Sequence, residues 1–225
     1  MIADLHAHTR YSFDSVVEPR EAVRVARRKG LTALAITDHD SLSGALEAES
    51  YARGTGLQII VGEEIATDAG DLVGLFLESE VARGTVDSVV AEIRRQGGIV
   101  SLPHPYRGHK SPETLVPLVD VVEGFNARTS PQNNAAGQAL ARAHGKPSIA
   151  VSDAHFLREI GNSRVTNSSS DLREALLRGE FSVLTAYNPA YLFATSQLIK
   201  SFRLQTYAAI PKQLGWIVAS LVRPR

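Results

Sequence analysis

Short apolar, β-branched runs alternate along this chain with longer stretches whose apolar positions recur at helical spacing. The runs, bounded by turn residues, predict strands over 2–5, 33–37, 58–61, 72–77, 98–102, 119–124, 148–151 and 181–184. The stretches between them predict helices over 19–30, 43–55, 85–96, 112–118, 134–143 and 170–177. The first helix shows the pattern: Pro19 opens it, Gly30 closes it, and Ala22, Val23 and Ala26 share one face. Repeated strand–helix alternation predicts an α/β fold with parallel strands, and in this number a TIM-like barrel with chemistry on the loops after the strands.

The last part of the chain departs from the pattern. From Phe181 to Arg225 there is no acidic residue, while Lys200, Arg203, Lys212, Arg223 and Arg225 are basic. Apolar residues are dense there, from Leu198 and Ile199 to Trp216, Ile217, Leu221 and Val222. We therefore expect a barrel domain over 1–185 and a basic, apolar helical extension over 186–225. The plainer reading packs the extension on the barrel. The other makes it an amphipathic surface for a membrane or a partner.

Composition narrows the chemistry. The 225 residues carry 24 basic and 24 acidic side chains, so no global field points to nucleic acid. No cysteine is present, which excludes disulfides, thiolate metal ligands and a cysteine nucleophile. Any metal must be held by imidazole and carboxylate. The N-terminus runs into a strand without a signal-peptide pattern, and no apolar run is long enough for a bilayer, so a cytoplasmic protein is the expectation.

Five of the seven histidines sit where an apolar run ends. The clusters are Asp4-Leu5-His6-Ala7-His8, Thr37-Asp38-His39-Asp40, Leu102-Pro103-His104-Pro105 and Ser152-Asp153-Ala154-His155. Alternate strand residues face the same way, so His6 and His8 can share one ion, with Asp4 placed to orient an imidazole. Ligands from several strand ends are what a metal site at a barrel mouth needs, and one of Glu63 and Glu64 should point into that mouth. The other reads as a surface acid. The prolines around His104 stiffen its backbone. His144, beside Gly145, reads as a helix-end residue.

The segments DLHAHTRYSFDS, ITDHDSLSG, VGEEI, LPHPYR and VSDAH, in that order, resemble the PHP family, named for polymerase and histidinol phosphatase. The resemblance covers residues 1–184. It implies a distorted seven-stranded (β/α) barrel with two or three divalent ions and phosphoester hydrolysis, as in histidinol phosphatase, nucleotide phosphatases and polymerase-associated exonucleases. Carried over by motif, one ion takes His6, His8, Glu64 and Asp153. A second shares Glu64 and takes His104, with Asp71 where many members place a histidine. A third takes His39 and His155, with Asp14 where some members carry a histidine. The carboxylates at 14 and 71 make the set richer in oxygen, which admits Mn²⁺ or Fe²⁺ beside Zn²⁺.

Adjacent divalent ions acidify water and neutralise phosphate oxygens. The basic groups expected to clamp phosphate are Arg10, Arg107, His109, Lys110 and Arg158, with Arg107 first because it follows a ligand by three residues and its guanidinium forks onto phosphate. Asp38 or Asp40 is expected to orient His39 or assist proton transfer. A small phosphomonoester, nucleotide or sugar-type, is the expected substrate. The alternatives are a short-oligonucleotide exonuclease, using rim aromatics such as Tyr11, Phe13, Tyr106, Phe125 or Phe156 for stacking, and a non-catalytic metal-binding regulatory domain.

Overall fold

The structure, a computed structural model, describes residues 1–169 and 171–222. Its elements in chain order are β1 (Ile2–Asp4), α1 (Pro19–Arg28), β2 (Ala33–His39), α2 (Ser43–Ala52), β3 (Gln58–Thr67), β4 (Gly70–Leu75), α3 (Val86–Arg95), β5 (Ile99–Leu102), α4 (Pro112–Leu115), β6 (Val121–Asn126), α5 (Pro131–Ala143), β7 (Ser148–Val151), β8 (Arg164–Thr166), α6 (Leu172–Arg178), β9 (Ser182–Leu184), α7 (Ala190–Arg203) and α8 (Ile210–Val222). Of the residues named above, Ser170, Arg223 and Arg225 lie outside the described residues.

Local chemistry sets several of these boundaries. Pro19 opens α1, whose Ala22, Val23, Val25 and Ala26 are buried. The side chains of Thr85, Ser130 and Asp171 accept from the third amides of α3, α5 and α6, satisfying donors that a helix start leaves free. Gly179 ends α6 at φ 68°, a left-handed turn that only glycine adopts without strain.

The strands form one sheet in the order β7-β6-β5-β4-β3-β2-β1-β8-β9. A parallel bridge between Ala7 and Ala154 joins the segment after β1 to the segment after β7, so the first seven strands curl into a distorted barrel. The expectation of parallel strands holds for β1-β2-β3 and β5-β6-β7. It fails at β4, which runs antiparallel to both neighbours, and at β8 and β9, an antiparallel appendage on the edge of β1. The reason at β4 is the connection. β3 continues through Glu63 and Glu64 to Thr67, and only Asp68 and Ala69 separate it from β4, too short for a crossover.

Apolar residues from the strands and from α6 fill the barrel: Ala33, Ala35, Ile60, Val73, Ile99, Val121, Ile149, Val151, Leu172 and Leu176 are all buried there. Two further clusters lie outside it, one under α1 and α2, the other under α3 and α5. Helices α7 and α8 form a hairpin, and α7 lies over the barrel mouth. Among the described residues, no helix is long and apolar enough to cross a membrane.

Candidate metal centre

Period-two alternation carries the inner face of the barrel from apolar to ligating. Ala33 and Ala35 are followed on the same face of β2 by Thr37 and His39. Ile60 is followed on β3 by Gly62 and Glu64, Val121 on β6 by Glu123, and Ile149 and Val151 of β7 by Asp153 just past the strand's end. The same strands thus pack the core at one end and present donors at the other. Glu63, on the opposite face of β3, is buried under the chain at Val81, whose amide its Oε2 accepts at 2.9 Å. It is not the surface acid expected. Burial lifts its pKa to about 7.

The donors converge closely. Nε2 of His6 and Nε2 of His8 are 2.9 Å apart, and each is 3.3 Å from Glu64 Oε2. Asp153 Oδ1 lies 3.8 Å from His6 and 3.5 Å from His8. His104 Nε2 is 3.1 Å from Glu64 Oε1. On the other side, Asp14 Oδ2 is 3.2 Å from His155 Nε2 and 3.6 Å from His39 Nε2. Two donor groups each gather within 4.8 Å: His6, His8 and Glu64, and His8, Asp14, His39 and His155. His8 belongs to both, so it stands between sets that the family pattern keeps apart.

The outer ring nitrogens explain why this donor set fits cations. His6 Nδ1 meets Glu123 Oε1 at 2.6 Å. His104 Nδ1 meets the Arg107 carbonyl at 2.8 Å, and His155 Nδ1 the Asp153 carbonyl at 2.9 Å. His8 Nδ1 meets Ser12 Oγ at 2.9 Å, and that hydroxyl donates to Asp38 Oδ1 at 2.6 Å, leaving it an acceptor toward His8. All four imidazoles therefore carry a proton on Nδ1 and, when neutral, aim an Nε2 lone pair at a carboxylate. Lone pairs facing anions at these distances call for positive charge between them. With only protons to supply it, the neighbouring carboxylates overcome burial, raising His6 well above its ordinary value and His8 to about 9. Against the same burial, His39 and His6 hold Glu64 far below the carboxylate range, and Arg107 and His6 do so for Asp153. Asp14 Oδ1 is buried without a partner. Divalent ions would take the place of those protons.

Two residues of the donor cluster have strained backbones. His104 has φ 29° and Asp153 φ 51°, left-handed values that non-glycine residues adopt only where surrounding structure enforces them. At His104, Glu123 Oε2 accepts the amide at 3.0 Å.

Above the donors is a cavity of about 280 Å³. Asp14, His39, Glu64, Asp71, His104, Asp153 and His155 form its floor, and Phe193, Gln197 and Lys200 of α7 its roof. Arg107 and Arg128 line the sides. Arg107 pairs with Asp153 through Nη2, while its Nη1 is buried without a partner. Arg128 donates to Glu159 at 3.0 Å and to Ser196 of α7, and its guanidinium lies 5.2 Å from the Phe193 ring centre. Arg203 at the end of α7 donates to the Ser12 carbonyl at 2.6 Å, fixing the helix over the mouth.

Several expected roles move. Asp4 accepts from the amides of Ser152 and Gly161 and orients no imidazole; that position beside His6 belongs to Glu123. Asp38 is buried and has both oxygens occupied by Thr9 and Ser12, so it holds the hydroxyl that holds His8. Asp40 turns to Arg83 at 2.7 Å and to the Ala66 amide. Neither aspartate lines the cavity. Arg10 pairs with Glu18 and Glu47, Arg158 reaches Tyr191, Lys110 is exposed, and His109 is held by the Asp71 carbonyl at 2.8 Å; none of the four lines the cavity. Asp71 lines it but belongs to neither donor group, and burial beside Glu64 raises its pKa. Phe13 stacks on His39, with ring centres 4.3 Å apart, rather than offering a free face. Glu123 has a signal in the sequence, an acid inside the apolar run of β6. Arg128, Phe193, Gln197 and Lys200 have none, because no local pattern says that α7 returns to the mouth.

The comparisons agree with this geometry. Residues 4–126 match the PHP domain and residues 131–181 the PHP-associated region. An uncharacterised protein of Methanocaldococcus jannaschii is 38% identical over 117 residues, 47% of this chain and 68% of that one. The 5'-3' exoribonuclease of Haemophilus influenzae is 43% identical over 65 residues, 29% of this chain but only 23% of the enzyme. A solved two-domain protein of Bacteroides vulgatus, described as containing a PHP-like metal-dependent phosphoesterase, superposes with a TM-score of 0.70 at 19% identity, covering 83% of this chain and 65% of that one. Fold, ordered motifs and the matched span together make this chain a member of the PHP family.

Proposed function

We propose that this protein hydrolyses a small phosphomonoester, of nucleotide or sugar type, at a centre of two or three divalent ions. The observation that carries the reading is the set of Nε2 lone pairs aimed at shared carboxylates on the floor of a cavity that also holds an unpartnered guanidinium nitrogen. His6, His8, Glu64 and Asp153 would hold one ion, Glu64 and His104 a second, and His39, His155 and Asp14 a third, with Asp71 at the edge. Mn²⁺, Fe²⁺ and Zn²⁺ all suit such ligands. Bound there, the ions supply an acidified water and positive charge for the phosphate oxygens.

The chain's own groups do the rest. Arg107 Nη1 donates to a phosphate oxygen while Nη2 stays on Asp153, which fixes the fork before substrate arrives. Lys200 adds charge from the roof. Phe193 and Gln197 face whatever the phosphate carries, and α7 keeps bulk water out. Similarity to an exoribonuclease raises oligonucleotide ends as a second substrate. The roof favours the smaller one, since about 280 Å³ lies just below the roughly 300–1,000 Å³ typical of small-molecule sites.

Metal content of the purified protein, paired with hydrolysis of an aryl phosphate with and without Mn²⁺, tests this reading. Bound metal with metal-dependent turnover is expected. Neither metal nor turnover after reconstitution would leave a non-catalytic domain, and faster cleavage of oligonucleotides than of monoesters would transfer the reading to the exonuclease.

A further inference from the structure

The donors Asp14, His39 and His155 lean on the roof. Arg203 of α7 donates to the carbonyls of Arg10 and Ser12, at 3.2 and 2.6 Å, in the loop that carries Asp14. Lys200 of α7 sets its ammonium 4.6 Å from the ring centre of Phe13, and that ring stacks on His39 at 4.3 Å. Ser196 of α7 accepts from Arg128, Arg128 donates to Glu159 at 3.0 Å, and Glu159 accepts the amide of His155 at 2.8 Å. Ser196, Arg128 and Glu159 are all buried, so no water stands ready to replace a missing member of this chain of hydrogen bonds.

The other donors lean on the barrel. Glu123 of β6 holds His6, Asp38 of β2 holds His8 through Ser12, and Glu64 lies on β3 itself. Asn126 of β6 donates to Asp153 at 3.1 Å, and the Arg107 carbonyl holds His104. Helix α7 approaches this group at Phe193, whose ring centre is 5.7 Å from the Arg107 guanidinium, a contact without a hydrogen bond. Strand donors are fixed by backbone pairing; a helix laid across the mouth has none and opens at lower cost. Removing a group that orients a ligand changes metal affinity by about 10–100-fold. On the ion centre proposed above, we infer that α7 governs the ion at Asp14, His39 and His155: the site tightens when the helix is seated and slackens when it lifts, while ions at the other donors stay bound. Such coupling is reciprocal, so that ion in turn holds the roof closed.

The full chain, stripped of metal and titrated with Mn²⁺ in a calorimeter, tests this. Wild type should bind three ions, the last most weakly. The double variant Ser196→Ala, Arg203→Ala, which touches no donor, should weaken the last ion about 10–100-fold and leave the other two nearly unchanged. Asp14→Asn should weaken the same ion, and adding the two roof changes to it should have little further effect, since coupled sites are not additive. Hydrogen exchange read by mass spectrometry gives the reverse view: amides of α7 should slow when the third equivalent binds and not at the first two. Equal weakening of all ions, no weakening, fewer than three ions in wild type, or α7 exchange indifferent to the third ion would each overturn the inference. Binding is measured rather than turnover, so the expected titration from a chain that hydrolyses nothing would uphold this coupling and overturn the proposed hydrolysis alone.

Discussion

The floor of the cavity and its roof hold their side chains differently. His39 and Glu64 lie on strands paired on both sides, Asp153 follows β7, which pairs with β6, and His6, His8, His104 and His155 are each held at the far ring nitrogen by a second group. Phe193, Gln197 and Lys200 hang from one helix, held at the mouth by Arg128 and Arg203. The two regions also differ at their surfaces. The barrel buries both its apolar core and its donors, whereas the hairpin buries Leu192, Ala194, Ser196, Ser201 and Gln213 and leaves Val218 and Leu221 facing outward. Donors need positions fixed within a few tenths of an ångström; a roof must admit and release a substrate. On the proposed function, metal ligation belongs to the floor and substrate selection to the roof.

Removing a donor should break the comparison most severely. His8→Ala deletes the imidazole common to both donor groups, so metal content should fall and turnover should drop to background, with the thermal melt of the metal-free protein preserved. Retained turnover would remove the proposed centre. Glu123→Gln leaves every donor present and weakens the holds on the His6 ring and the His104 amide. Metal titration should show affinity reduced about 10–100-fold. A metal-binding curve indistinguishable from wild type would make Glu123 a packing residue.

A third change tests the scaffold under the floor. A Cβ on Gly44 would stand 2.0 Å from Asp38 Oδ2 and 2.3 Å from Thr9 Oγ1, displacing the carboxylate that holds Ser12. Gly44→Ala should cost about 1–3 kcal/mol of stability, read by denaturant unfolding. At the roof, Lys200→Ala should raise KM about fivefold with kcat nearly unchanged, the signature of lost uniform binding. A drop in kcat alone would bring Lys200 into the chemistry. The smallest effect belongs to the outer face of the hairpin: Val218→Ser should change stability by less than about 0.5 kcal/mol, and a larger loss would mean the face is packed in the free protein.

Much of the floor is legible in the chain, because each donor sits within a few residues of the strand that aims it. A period-two pattern that turns from alanine and isoleucine to histidine and glutamate states both the face and the end of the barrel. The sense of β4 is not legible, since a strand reads the same in either direction and β3 hides its last turn behind two acids. The fates of Asp38 and Asp40 are equally silent. Both are acids beside a histidine, and only the packing of Thr9, Ser12 and Arg83 separates them from the cavity.

The amino-acid sequence by itself determined the family, the strand-and-helix alternation, and the histidines and carboxylates gathered at strand ends. These are local facts, written in periodicity and short motifs. Tertiary structure alone decided that Glu123 rather than Asp4 holds His6, that Arg128 ties α7 to the mouth, and that α8 turns its apolar side outward. Each depends on groups brought together across the barrel, and chain order carries no record of which distant surfaces the lowest free energy will join.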